Sequence, residues 1–393
     1  MVRLPVFLLL AAAAALPAWA QIQPRSLQTI DDPKGEFSLG VRFNTNVDVT
    51  FRNVGSLGSY RSIGDQFSEM NRSYDDGVVA VDQRRAGNGA DLADDGRTNT
   101  WRMGYDSQVV DEDGDGMGDA IAFHRYQTDG MGTAVNFDST VVPGLDFDYS
   151  YAFGRFGGRL HNKSPRVTWG GQLGVGLTSI NAKLDGPITV NLVVDEDRYS
   201  LDGAAPPEAP YTAPSTRSIT TVDSSGNPIT NTVDTTTLLA NRPYSRRTYN
   251  RDADGDLLTE TVEGFWQVRG GSLTMRTGLW MRYRPFERVG IRASAGLTAS
   301  FVGLTMRYDE YLDKEELISE LRHKSEASPD KWTYFGAYGT LDAEWWLTSS
   351  TSIFLGATYE QTSEDIEIPL DGRTADIRLG SGTGFRLGFT KLF

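Results

Sequence analysis

Oxygen-bearing side chains recur at alternate positions in Asp111-Glu112-Asp113-Gly114-Asp115-Gly116-Met117-Gly118-Asp119. Ca²⁺ is held by about six to eight oxygen ligands, and acids at alternate positions with a glycine at the sharp turn are how a short loop supplies them. Asp111, Asp113, Asp115 and Asp119 are therefore candidate Ca²⁺ ligands. The same opening recurs at Asn250, Asp252, Asp254 and Gly255. Neither copy has a glutamate at the twelfth position, where Ala122 and Thr261 stand, so a solvated acidic turn is the plain alternative at both.

A second group of charges is larger. Arg42, Arg276, Arg282, Arg292, Arg378 and Arg386, with Asp48, Asp146, Asp342, Glu344, Glu360 and Asp376, all fall on the polar side of stretches in which apolar and polar residues alternate. Side chains on a strand point to opposite faces in turn, so these charges would share one face of a sheet whose other face is apolar. A closed sheet would collect them in its interior as an ion-pair network that fills the lumen, or as a narrow, charge-lined ion path. The histidines, His124, His161 and His323, offer less. No Ser-His-acid set assembles around them on one wall or rim; the best pairing is His124 with Asp106 or nearby acids, and catalysis is not expected.

The elements that must position these residues are long strands. Residues 36–51 carry Phe37, Leu39, Val41, Phe43, Val47, Val49 and Phe51 on one face and Glu36, Ser38, Gly40, Arg42, Asn44, Asn46 and Asp48 on the other. Similar runs follow at 145–156, 167–177, 272–284, 289–301, 332–347, 352–368 and 374–393. In the last of these Ile377, Leu379, Phe385, Leu387 and Phe389 alternate with Asp376, Arg378, Arg386 and several glycines. Such strands exceed the roughly five or six residues usual in a soluble sheet and match the nine to eleven or so that cross a bilayer at a tilt. Tyr283, Trp345, Trp346, Tyr359 and Phe393 lie near strand ends, where interfacial aromatic girdles form.

Between the strands lie polar insertions at about 53–144, 181–270 and 309–331. The first holds weaker strand candidates at 98–109 and 120–127, which could join the wall and raise the count to ten or twelve. The second, with its Pro-rich and Thr/Ser-rich tracts, does not support a core of ordinary size. In the third, Leu317, Ile318 and Leu321 have helical spacing ahead of Pro329.

Composition agrees with a membrane barrel diluted by large external segments. The net charge of −14 and the aromatic content of 11% go with a mean hydropathy of −0.37, which is mild because lipid-facing residues alternate with polar interior ones. Acidity argues against nucleic acid as a partner. The absence of cysteine excludes disulfides and a lipid anchor on a cysteine. Residues 1–20 have a basic start, a short apolar core and Ala18-Trp19-Ala20, the pattern of a cleaved signal peptide, with 21–35 as a periplasmic leader. Parity then orders the ends. If Phe393 ends at the periplasmic rim, the short connectors at 157–165, 285–288 and 348–351 all face the periplasm and every long insertion faces outward.

With its signal peptide, eight alternating strands and a terminal segment bearing Phe385, Leu387, Phe389 and Phe393, the chain resembles small Gram-negative outer-membrane β-barrel proteins of the eight-stranded structural or adhesive type. That resemblance implies an all-β, antiparallel, up-and-down transmembrane barrel with long extracellular loops, and recognition of the last strand by the barrel-assembly machinery. The expected surroundings are the lipid bilayer and lipopolysaccharide of the outer membrane, with an unknown ligand outside. The expected role is a structural anchor or surface-exposed binding face. A narrow porin-like channel for small ions or solutes is the second reading.

Overall fold

The computed structural model describes residues 34–44, 48–58, 63–85, 95–130, 132–137, 141–156, 166–222, 227–286, 288–318, 320–362, 365–378 and 382–393. The signal peptide, most of the leader, His161 and Leu379 lie outside the described residues.

Eight strands form the wall: β1 (Gly35–Asn44), β2 (Val142–Phe156), β3 (Arg166–Ser200), β4 (Thr259–Arg284), β5 (Val289–Leu312), β6 (Asp330–Trp346), β7 (Thr351–Thr362) and β8 (Gly382–Leu392). Each pairs antiparallel with the next in the chain. β8 returns to β1 in a ladder from Glu36↔Leu392 to Asn44↔Gly384, so the ring closes and its backbone groups are paired all the way round. In hydrocarbon this matters, because an unpaired backbone group there costs several kcal/mol. Among the described residues the closed ring holds eight strands. The strand Ala120–Asp129 pairs with β3 only at Asn191–Ser200, beyond the ring, and adds nothing to the strand count.

The three longest strands carry a change of character at one level. Below the row Thr178↔Ser272↔Val302, inward positions are polar: Gln172 and Thr178 on β3, Thr274, Arg276 and Arg282 on β4, Arg292, Ser294 and Ser300 on β5. Outward positions there are Leu173, Val175, Leu177, Met275, Leu279, Met281, Ile291, Leu297 and Phe301, all exposed. Above the row the phase reverses. Ile180, Ala182, Val190 and Leu192 of β3, Trp266 and Val268 of β4, and Leu304 and Met306 of β5 point inward and are buried, while Asn181, Lys183, Asp185, Arg269, Arg307 and Asp309 point outward. The pleat continues without a break, so the inversion is written in the residues, as expected where a surrounding medium changes from hydrocarbon to water. At this row the outward positions are small, Ser179↔Gly271↔Gly303. A groove of about 610 Å³ runs along the outer wall there, between Leu145, Leu177, Leu273 and Phe301.

The large insertions are therefore not loops around an empty mouth. From Ser179 onward β3 continues to Ser200, roughly 70 Å of strand at about 3.3 Å per residue. Three expected wall strands also divide. Residues 36–51 become β1 and a separate strand Asp48–Arg52; 352–368 become β7 and Asp365–Leu370; 374–393 become Arg373–Arg378 and β8. The upper pieces form their own sheet with Ala134–Phe137. Their apolar positions, Val49, Phe51, Ile366, Ile368, Ala375 and Ile377, pack on Ile180, Ala182, Trp266, Val268, Leu304 and Met306 in one buried core. Burying each large side chain of this kind contributes roughly 1.5–3 kcal/mol, which explains why alternating strands leave the wall once another apolar surface is on offer.

A head completes the upper part. Its core of Tyr74, Val79, Trp101, Met103, Ile121, Phe123, Tyr199, Leu201, Ala213 and Leu239 draws on both of the first two insertions. A third cluster, around Tyr126, Val190, Val194, Val262 and Leu312, joins the head to the long strands. Residues 314–327 do not form the expected helix: Arg322–Glu326 is a strand paired with β5. The amides of Leu312 and Ile318 instead donate to Leu321 and Asp75 carbonyls, and Leu317 and Leu321 pack against the third cluster, so tertiary contacts override helical spacing.

Candidate functional site

The lumen below the inversion row is filled by charge. Arg282 grips Glu344 with two hydrogen bonds of 2.6 and 2.8 Å and reaches Glu36 at 2.7 Å. Arg292 also pairs with Glu36 and donates to Ser150 and Gln172 at 2.6 and 2.8 Å. Higher up, Arg276 lies 2.9 Å from Asp146 and 3.3 Å from Asp148. Arg386 spans Asp148 at 3.0 Å and Asp342 at 3.2 Å, and Arg42 pairs with Glu360 and donates to Thr178 at 3.0 Å. Glu360 alone of these is appreciably exposed. The bidentate Arg282–Glu344 pair fixes both side chains in place, and Arg292–Glu36 joins β5 to β1 across the ring.

Glycine makes the space. A Cβ on Gly174 would lie 2.2 Å from a carboxylate oxygen of Asp148, and one on Gly356 would lie 2.1 Å from that of Asp342. Trp346 also belongs inside rather than in the girdle: it is buried, with the Arg284 guanidinium 3.6 Å from its ring centre and Arg282 at 5.2 Å. Tyr283, Trp345 and Phe393 do face outward.

Of the expected lumen charges, Arg42, Asp146, Arg276, Arg282, Arg292, Asp342, Glu344, Glu360 and Arg386 are brought together. Asp48, Asp376 and Arg378 are not. They sit on the outer face of the upper sheet, where Asp48 stands opposite Arg378 and an exposed Asp365 lies 3.6 Å from Arg378. Their strands leave the wall, and the polar side that would have faced the lumen faces solvent instead. Glu36 and Asp148 join the network although only their parity, shared with Arg42 and Asp146, marks them in the sequence.

The first calcium motif forms a compact exposed loop in which carboxylate oxygens of Asp111, Asp113 and Asp115 lie within 4.8 Å of one another. Asp111 already accepts the amides of Gly114 and Gly116 at 2.7 and 2.8 Å, and Asp119 turns away to accept that of Glu112 at 2.9 Å. The second motif is an ordinary acidic turn: Asp252 accepts the amides of Asp254 and Asp256 at 3.0 and 2.9 Å, and among the described residues no three carboxylates of that loop converge. Of the two loops, the first alone brings three carboxylates together among the described residues.

His124 pairs with acids other than Asp106, which accepts the Ala209 amide at 2.8 Å. Its Nδ1 lies 2.6 Å from Asp76 and its Nε2 lies 3.5 Å from Glu196. Burial would depress the imidazole, but the two carboxylates hold its pKa up at about 9. Both ring nitrogens are then donors, and an imidazolium so committed cannot serve as a base. Glu196 is further held by Arg247 and Arg198 at 2.8 and 2.6 Å, which pushes it well below the usual carboxylate range despite its burial.

No family model matches the chain, and no curated protein matches it. Among solved structures it is similar to Ail, the attachment invasion locus protein of Yersinia pestis, crystallised with the heparin analogue sucrose octasulfate: 9% identity over 92% of this chain and 99% of that one, with a TM-score of 0.23. A FadL homologue from Pseudomonas aeruginosa matches at 10% identity over 93% and 91% with a TM-score of 0.17. OmpT of Vibrio cholerae matches at 9% over 94% and 100% with a TM-score of 0.11. Likenesses of this size carry no argument about role, and it is the closed ring of eight strands with its apolar outer band that bears out the resemblance to outer-membrane β-barrels.

Proposed function

We propose that this protein is an outer-membrane anchor that presents a folded head at the cell surface as a binding face, and that it does not conduct solutes. One observation carries this reading: the lumen holds the interlocked network of Arg42, Arg276, Arg282, Arg292 and Arg386 with their acids, and the upper core stacks above it. A path for ions would have to cross both a set of buried pairs and an apolar layer. The outward apolar band supports insertion in a bilayer, and the signal-peptide pattern of residues 1–20 supports delivery to the outer membrane. The terminal Phe385, Leu387, Phe389 and Phe393 would be read by the assembly machinery, and lipopolysaccharide would surround the upper rim. The locked state of His124 supports a binding role over a catalytic one.

The test is conductance. Purified protein in planar bilayers is expected to be electrically silent, and Arg386→Glu is expected to stay silent while losing stability. A resolvable, charge-selective conductance in the native protein, altered by Arg386→Glu, would establish the channel instead.

A further inference from the structure

The groove on the outer wall lies directly beneath a set of cations. At about 610 Å³ it falls within the roughly 300–1,000 Å³ usual for small-molecule pockets. Leu145, Leu177, Leu273 and Phe301 line its lower, apolar part, and Ser179 and Gly271 its upper end. Leu145, Leu177 and Phe301 are each more than two-fifths exposed, so the groove opens outward.

Above Ser179 the outward residues of β3, β4 and β5 change chemistry row by row. The first row, Asn181↔Arg269↔Thr305, and the second, Lys183↔Gln267↔Arg307, hold three cations. Carboxylates on these strands begin only in the third, Asp185↔Phe265↔Asp309. In a chain of net charge −14, an apolar groove followed by cations and only then by acids matches an amphiphile with its acyl chain below and its anion at the boundary. The cations are held in place. The Phe265 ring has the Lys183 ammonium 5.2 Å from its centre and the Arg307 guanidinium at 4.9 Å, and Gln267 accepts from Arg307 at 2.6 Å. Lys183 pairs with Asp185 at 3.1 Å and Arg269 with Glu326 at 2.5 Å, but all four side chains are about half exposed or more. Exposed pairs of this kind contribute little and leave N–H groups for another oxygen.

We infer that the groove and these three cations form one lipid site, in which an acyl chain lies along Leu177, Leu273 and Phe301 and phosphates meet Arg269, Lys183 and Arg307. Charge complementarity selects the occupant. Lys183 and Arg307 flank β4, two strand spacings or roughly 10 Å apart, wider than one phosphate. The ligand is therefore the bisphosphorylated acyl lipid of the outer leaflet, lipid A, rather than a phospholipid with a single phosphate. Charge-assisted hydrogen bonds from guanidinium and ammonium groups suit its oxygens. The inference rests on the proposed anchoring role, which puts hydrocarbon against the groove and this end of the barrel at the cell surface. It adds that one lipid is held at one place on the wall, on named residues.

Full-length protein folded in neutral detergent would be incubated with lipid A, with monophosphoryl lipid A or with phosphatidylglycerol, and the retained lipid counted by native mass spectrometry. One lipid A per chain is expected, held about tenfold or more tightly than either single-phosphate lipid. Lys183→Gln combined with Arg269→Gln should erase that preference. Ser179→Trp, which fills the upper end of the groove from an outward position, should weaken retention of all three. Arg102→Gln, at an exposed cation of the head, should change nothing. Insertion of every variant into phosphatidylcholine vesicles, read by protease protection, separates this site from the anchor. Native protein that inserts but retains no lipid, or variants that insert and retain it unchanged, overturns the site and leaves the anchor standing. Phosphatidylglycerol held as tightly as lipid A overturns the choice of occupant, and native protein that fails to insert overturns site and anchor together.

Discussion

Arg373 and Glu310 meet 2.6 Å apart within the upper core, neither of them accessible to solvent. Arg373 also donates to the Asp371 carbonyl at 3.0 Å and lies 4.5 Å over the Tyr308 ring, while Trp266 donates to the other oxygen of Glu310 at 2.7 Å. The pair ties the hairpin of Asp365–Leu370 and Arg373–Arg378 to the upper half of β5. Removing one partner strands a buried charge, which typically costs about 3–5 kcal/mol, whereas replacing both by apolar residues costs less. Arg373→Met and Glu310→Met should each lower the denaturant midpoint strongly, and the double variant should recover part of the loss. Equal and additive losses would show the two residues to act independently.

The polarity inversion predicts a depth dependence. Leu279→Arg, in the middle of the outward apolar band, should destabilise the protein in lipid vesicles by about 2–4 kcal/mol. Asn181→Arg, three residues above Thr178 and outward, should change it by about 0.5 kcal/mol or less. Unfolding by guanidinium in vesicles measures both, and similar costs at the two sites would place the band outside hydrocarbon.

His124 predicts a pH response of the head. Its folded pKa of about 9 stands above the ordinary value near 6.5. Below pH 6.5 the folded and unfolded forms are both protonated and the two carboxylate contacts contribute fully. Between 6.5 and 9 the unfolded form gives up its proton while the folded form keeps it, so the contribution shrinks and is gone above 9. Roughly 3 kcal/mol is at stake. Proteolysis of the head should accelerate as pH rises through that window, and His124→Gln should flatten the response.

Calcium should distinguish the two acidic motifs. Titration calorimetry is expected to show weak uptake, of the order of 10⁻⁴–10⁻³ M as in extracellular modules, at the loop where Asp111, Asp113 and Asp115 converge. Asp113→Asn should abolish it and Asp252→Asn should leave it intact. Loss of uptake on Asp252→Asn would relocate the site, and no heat from the native protein would make both loops simple turns.

The wall was legible in the sequence because hydrocarbon outside and charge inside impose a two-residue period that nothing else would sustain. Phe385, Leu387 and Phe389 face outward, and Arg386 sits in the lumen with Asp148, as the alternation requires. The same period misled at Arg378 and Asp48. A strand with one apolar face reads identically whether that face meets lipid or a protein core, and Ile377 and Val49 meet a core. Trp346 was misplaced for a related reason: being near a strand end says nothing of which side it faces, and its even parity, shared with Glu344, was the better guide. The head escaped because its core gathers scattered residues such as Trp101, Phe123, Tyr199 and Leu239, whose proximity arises only when two distant insertions fold together.

The last stretch of chain closes two things at once. Arg373–Arg378 covers the apolar inner faces of β3, β4 and β5, and β8 completes the ring against β1. Until those residues are in place, the nascent protein has greasy surfaces of two kinds, one destined for lipid and one destined for its own interior, and both are exposed to water. A truncation of that segment is expected to leave both the ring unclosed and the core above it uncovered.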